Sequence, residues 1–305
     1  MIRTLRLTPA LLDAWLVDQG IPTPHARYRL RLWRENRAAL PALVVELRAY
    51  ICEALDDARV RLREGFQDTL SPFNDPPADP AANYPEVLNR ITLQGYWGET
   101  LAVLVVEHWG AIDQTDWTVP AFLFRLHDTE FQHLELINQR LRDGLANNPD
   151  AVAERRPGRT GDDAIAFRKD ATGVITDILT LEAKCLDQND NTTISKAHEK
   201  LVAGGIPPTA IRELIGVLNH YNTPEANAWQ ESLLRLWRSG YRHAARHDGV
   251  AYATAHTPVR GGRRAWMPTD QPHAAYTLDR RLEGMEFQFA DLDHLIAILY
   301  RNEAP

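Results

Sequence analysis

Residues 160–186 read TGDDAIAFRKDATGVITDILTLEAKCL, and this stretch sets the fold expected for the chain. Two apolar runs flank a turn at Gly173; Asp162 and Asp163 open the first, and the second contains Glu182-Ala183-Lys184. Alternating β-branched and aromatic residues around a short polar link predict a hairpin. Side chains alternate along a strand, so Thr180, Glu182 and Lys184 share one face while Leu181, Ala183 and Cys185 share the other. In the first strand Asp163 goes with Ile165 and Phe167, and Asp162 with Ala164 and Ala166. Antiparallel pairing brings one of the two aspartates beside Glu182.

That juxtaposition predicts a chemistry. Two carboxylates with a backbone carbonyl and water suit Mg²⁺ (or Mn²⁺), a hard ion that keeps much of its hydration. Such an ion polarises a phosphate and lowers the pKa of an attacking water. Lys184 would orient that water or offset the charge of the phosphorane. The metal set expected is Glu182 with one of the two aspartates, Asp162 or Asp163. Glu-x-Lys is a weak signal by itself, but the chain contains only four lysines (Lys169, Lys184, Lys196 and Lys200) among 34 basic residues. A chain that otherwise chooses arginine has placed a compact, adjustable charge beside the paired acids.

The bulk numbers are compatible with this reading. At 305 residues the chain accommodates two modest domains or one core with an appendage. A formal charge of −7 argues against a protein that coats nucleic acid unaided. Positive charge must be local, or a partner must deliver the substrate. Two distant cysteines suggest neither a disulfide framework nor a thiolate zinc site. No leader or membrane span is expected from the sequence, so the expected compartment is the cytoplasm. Walker A, dinucleotide-binding and serine-elbow motifs are absent, so any ATP-driven motor would be a separate subunit.

In chain order, residues 1–66 read as helices, including a helical stretch over 28–39 and an amphipathic one over 41–64. A Pro/Asp/Asn-rich segment at 71–85 is the best boundary, dividing a helical region (1–85) from a core (86–305). Residues 86–110 predict a buried helix carrying Gly95, Gly98 and Glu99. A strand is expected over 118–125, a helix over 129–145, and helices at 194–203, 209–219 and 224–239. Strands are expected at 250–256, 274–278 and 285–289, and a last helix at 291–300.

The acid-led strand, Glu182-Ala183-Lys184 and the upstream Glu99 helix together resemble the PD-(D/E)xK, or restriction-endonuclease-like, nuclease superfamily. The likeness covers roughly residues 91–205. It implies an α+β fold, a mixed sheet flanked by helices, with an N-terminal helical region for a partner or DNA. It also implies a catalytic set of Asp163, Glu182 and Lys184 with Glu99 assisting. Residues 194–201, with Lys196, His198 and Lys200, match the trailing helix. The chain departs from the pattern where Gly161 or Asp162 replaces the family's proline; Asp163 is the favoured acid. The layout is also similar to the nuclease subunits of Hachiman-type antiphage systems, which implies DNA as substrate and a helicase or ATPase partner. The competing reading is a nuclease-like DNA-binding or scaffolding subunit without catalysis, and RNA remains open as a substrate.

Nucleic-acid contacts are expected from Lys196, Lys200, Arg260, Arg263 and Arg264, within a basic C-terminal set that includes Arg235, Arg238, Arg242 and Arg246. Trp237, Tyr241 and Trp266 are available for stacking. His243 and His247 have a metal-compatible spacing but no accompanying acid, and read as surface histidines.

Overall fold

A computed structural model describes residues 7–65, 81, 84–123, 143–144, 162–205, 208, 210–258, 262, 264–301 and 303–304. Helix α1 (Pro9–Trp15) leads into β1 (Leu16–Asp18) and β2 (Tyr28–Glu35), followed by α2 (Leu40–Gly65) and α3 (Arg90–Trp109). The hairpin predicted from residues 160–186 is formed by β3 (Ala164–Lys169) and β4 (Ile175–Leu186). After it come α4 (Asn191–Ala203), α5 (Ile211–Tyr221), α6 (Pro224–Arg238), β5 (Ala245–Thr254), β6 (Leu282–Gln288) and α7 (Leu292–Arg301).

The strands form one mixed sheet in the order β1-β2-β6-β5-β4-β3. The outer pairs β1/β2 and β3/β4 are antiparallel, and the inner neighbours are parallel. Helices α1, α2, α3 and α7 bury one face, against Ala164, Leu181, Ala183, Met285 and Phe287. On the other face α4 packs over Val250, Tyr252 and Leu282, while α5 and α6 cover Ile165, Phe167 and Ile178. This is the α+β architecture, a mixed sheet flanked by helices, expected from the sequence.

Local chemistry fixes the helices that frame the site. The Asn89 side chain caps α3 by accepting from the Ile91 N–H at 2.8 Å. Gly110 ends α3 at φ 71°, where a Cβ would lie 1.9 Å from the Gln114 carbonyl oxygen. Asp190 caps α4 and Thr223 caps α6. Within α3, Gly98 lets the helix backbone approach β4: a Cβ there would meet Cys185 Cβ at 3.1 Å. Gly95, one turn earlier, faces open space.

Three expectations are corrected. The helix expected over 28–39 is replaced by β2 at 28–35, which pairs in parallel with β6, and only Arg37–Ala39 keep a single 3-10 helical turn ahead of α2. Tyr28, Leu30 and Leu32 alternate into the core, and Arg29 and Arg31 project from the opposite face onto buried Glu283, each with a guanidinium nitrogen 2.7–2.9 Å from its carboxylate. The N-terminal region therefore contributes strands to the sheet. Residues 274–278 are a short turn at 274–275 followed by irregular chain, without a ladder, and Tyr276 there serves as a hydrogen-bond donor to Asp248. Of the strand expected over 118–125, an isolated bridge from Thr118 to Phe167 is present, and 124–125 lie outside the described residues. The helix expected over 129–145 and the segment 71–80 also fall essentially outside them.

Candidate active site

The β3/β4 register brings the predicted residues together. Ala164 pairs with Leu181, and the Asp163 N–H donates to the Leu181 carbonyl at 3.0 Å. Asp163 thereby comes opposite Glu182, and its Oδ2 accepts the Ala183 N–H at 2.8 Å. Glu182 is 1% exposed and Asp163 10%. Lys184, two residues along the same face of β4, pairs with Glu182 and stands 3.6 Å from Asp163 Oδ2. Its Nζ also donates to the Ala183 carbonyl at 3.0 Å.

The fourth member is Lys200 from α4. Its Nζ is 3.0 Å from Asp163 Oδ1 and 2.6 Å from Glu182 Oε2. Sequence reading assigned Lys200 to phosphate contact; the fold sets it on both carboxylates. The signal was present, because the rarity of lysine that singled out Lys184 applies equally to Lys200.

Electrostatics divide the two acids. Burial, reinforced by the Asp163 charge, pushes Glu182 up to about 7 despite the two lysines. Burial also opposes ionisation of Asp163, but Lys184, Lys200 and the Ala183 N–H outweigh it and hold Asp163 below the usual aspartate value. The pair titrates as a unit, with its last proton on Glu182, the acid without a backbone donor among these contacts. Burial disfavours the Lys184 ammonium, yet Asp163 and Glu182 raise it overall.

The remaining expected residues are distributed as follows. Glu99 is buried on α3 beside Gly98, and its charge is felt at Lys184 and Tyr300. Asp162 contributes its charge to Arg246. Lys196 is exposed on α4, and Arg264 is exposed with a guanidinium bond to the Gln19 carbonyl. Arg260 and Arg263 lie outside the described residues. Trp237 is exposed beside Arg238.

Two expectations fail around β5. Arg246 is no solvated phosphate tracker: its side chain is 7% exposed and pairs with Asp248. His243 and His247 do not share a helical face, since one sits in a turn and the other on β5. His247 is no surface residue either, being largely buried against Asp177 at 3.1 Å. His198 turns into the core, its Nδ1 2.8 Å from the Ile194 carbonyl oxygen and its ring stacked on His273.

Sequence reading also missed a buried network beneath the site. Asp248, wholly buried, accepts from Thr180 Oγ1 at 2.6 Å, Tyr276 OH at 2.7 Å and Arg280 Nε at 2.8 Å. Arg280 also donates to the Leu201 carbonyl at 3.3 Å. The network thus ties β4, two residues before Glu182, to α4, one residue after Lys200.

The donor set suits a divalent ion. Asp163, Glu182 and the Ala183 carbonyl supply hard oxygens, and each already faces an ammonium group. Among the described residues no group of three His, Cys, Asp or Glu side chains gathers as a metal cage. A Mg²⁺ ion, which retains several waters, needs only one or two carboxylates. Among those residues no helix is long and apolar enough to cross a membrane. No protein-family model and no curated protein matches the chain.

Proposed function

We propose that the protein is a Mg²⁺-dependent (or Mn²⁺-dependent) nuclease that hydrolyses DNA phosphodiesters, acts in the cytoplasm and works with a separate helicase or ATPase subunit in antiviral defence. The observation that carries this reading is the convergence of Asp163 and Glu182 on shared ammonium groups at the open end of the β3/β4 hairpin. The PD-(D/E)xK resemblance supports the same assignment. Asp163, Glu182 and the Ala183 carbonyl would hold the ion, which when bound supplies charge neutralisation at the phosphate and an acidified water. Lys184 holds its ammonium beside both carboxylates, where it can orient a water or face the charge developing on phosphorus. Glu99 assists through its field at Lys184. A net charge of −7 makes the isolated chain a poor DNA binder and motivates the partner.

The test is metal-dependent nicking of plasmid DNA by Glu182→Gln and Lys184→Met, with folding checked by circular dichroism. Both are expected to abolish nicking while keeping the fold; unchanged cleavage by both refutes the assignment. A second reading, a nuclease-like scaffold without catalysis, is favoured by one observation: two lysines already compensate the two acids. Calorimetry with Mn²⁺ and DNA separates the two, since absence of metal binding selects the scaffold.

A further inference from the structure

The two lysines of the cluster are not equivalent. Lys184 shares β4 with Glu182 and is tethered to the carbonyl of its own neighbour Ala183. Lys200 arrives from α4, and its single ammonium bridges carboxylates from two elements, Asp163 Oδ1 at 3.0 Å and Glu182 Oε2 at 2.6 Å. Spanning two carboxylates is what a divalent ion would do at the same two oxygens, Asp163 Oδ1 and Glu182 Oε2, so the ion and the Lys200 ammonium compete for them and repel each other there. The Lys200 backbone is fixed: its carbonyl accepts the Gly204 N–H at 3.1 Å, and the next carbonyl, of Leu201, is held by Arg280. The side chain is 26% exposed, so its flexible stem has a way out to solvent.

We propose that Lys200 is a displaceable internal counter-ion, which holds Asp163 and Glu182 together in the metal-free protein and withdraws toward solvent when a divalent cation takes their oxygens. This rests on the metal-site reading above and adds a control to it. The metal must compete with a tethered ammonium, so affinity is set low and occupancy follows the free ion concentration. The metal-free protein, in turn, is spared two buried carboxylates with Lys184 alone to balance them. Lys200 is on this account a positioning residue.

The experiment is calorimetric titration of the full chain with Mn²⁺ alone, without DNA, in mildly alkaline buffer, comparing wild type with Lys200→Met and Lys200→Gln. Loss of a charged hydrogen-bonded competitor is expected to tighten Mn²⁺ binding about tenfold or more. Mn²⁺ should also raise the melting temperature of these variants more than that of wild type. Adding Asp163→Asn to Lys200→Met should erase the gain; persistence of the gain would overturn the proposal by placing the ion elsewhere. Equal or weaker binding by both variants, with wild type binding, overturns the proposal and leaves the metal site standing. No binding by any of the proteins overturns both. Should Lys200→Met fail to fold, Lys200→Gln, which shortens the stem and puts a neutral hydrogen-bonding amide in place of the ammonium, makes the same comparison.

Discussion

Asp248 is where a single substitution should reach stability and the site together. Its carboxylate is 0% exposed and serves Thr180, Tyr276 and Arg280 at once, with Arg246 beside it. Asp248→Ala leaves two guanidinium groups, 7% and 20% exposed, facing each other without their shared counter-ion. It also strips two buried hydroxyls of an acceptor. Breaking a buried pair from one side typically costs about 3–5 kcal/mol, a large part of the roughly 5–15 kcal/mol that holds a domain together. Asp248→Asn keeps the shape and an acceptor oxygen but not the charge, so a smaller loss, about 1–3 kcal/mol, is expected. Urea unfolding followed by fluorescence of the eight tryptophans reads both values from the midpoint at constant m. Because Thr180 and Leu201 flank Glu182 and Lys200 in sequence, nicking should also fall at temperatures where Asp248→Ala is still folded. Stability of Asp248→Ala within about 0.5 kcal/mol of wild type would refute the claim that this network clamps β4 to α4.

Three further outcomes are expected. Lys184→Arg should cut plasmid nicking about 100-fold, because a planar, delocalised fork does not replace a compact ammonium; a rate near that of wild type would remove Lys184 from the chemistry. Leu32→Ala, at a wholly buried position of β2, should cost about 2–5 kcal/mol in urea unfolding, whereas a strand loosely appended to the fold would lose far less. The pH dependence follows from Glu182, whose carboxyl is pushed from 4.5 up to about 7. Its ionised fraction grows as the pH rises through that value, so metal binding and nicking should climb between about pH 6 and about pH 8. Its effect on stability has the opposite sign: the folded state holds the proton more tightly than the unfolded chain, so this group favours the fold in acid and opposes it as the pH rises from 4.5 toward 7. Flat profiles of Mn²⁺ affinity and nicking across that interval would refute the assignment of the proton to Glu182.

The hairpin was legible because its information is local: a period of two, a glycine turn, and acids at fixed places on one face. Helix α3 was legible for a similar reason, an apolar run too long to be left exposed, although its start at Arg90 behind the Asn89 cap lay four residues beyond the expected one. Strand β2 was not. Tyr28, Leu30 and Leu32 do alternate with Arg29 and Arg31 at a strand's period of two, but two arginines on one face of a central strand have no evident counter-charge until Glu283, 254 residues beyond Arg29, is seen between them. The register of Asp163 against Glu182 could be narrowed to two choices from alternation, but choosing required the Asp163 N–H bond to Leu181.

Lysine usage turns out to be the more general signal. Two buried carboxylates outside the site, Glu283 and Asp248, are met by arginines, whose fixed forks suit permanent bonds. The carboxylates of the candidate site are met by lysines, Lys184 and Lys200. An ammonium on a flexible four-carbon stem makes no planar lock and can leave without moving the backbone. In a chain that builds its permanent ion pairs from arginine, two of its four lysines gathered on one acid pair mark the place where the counter-ion has to be exchangeable.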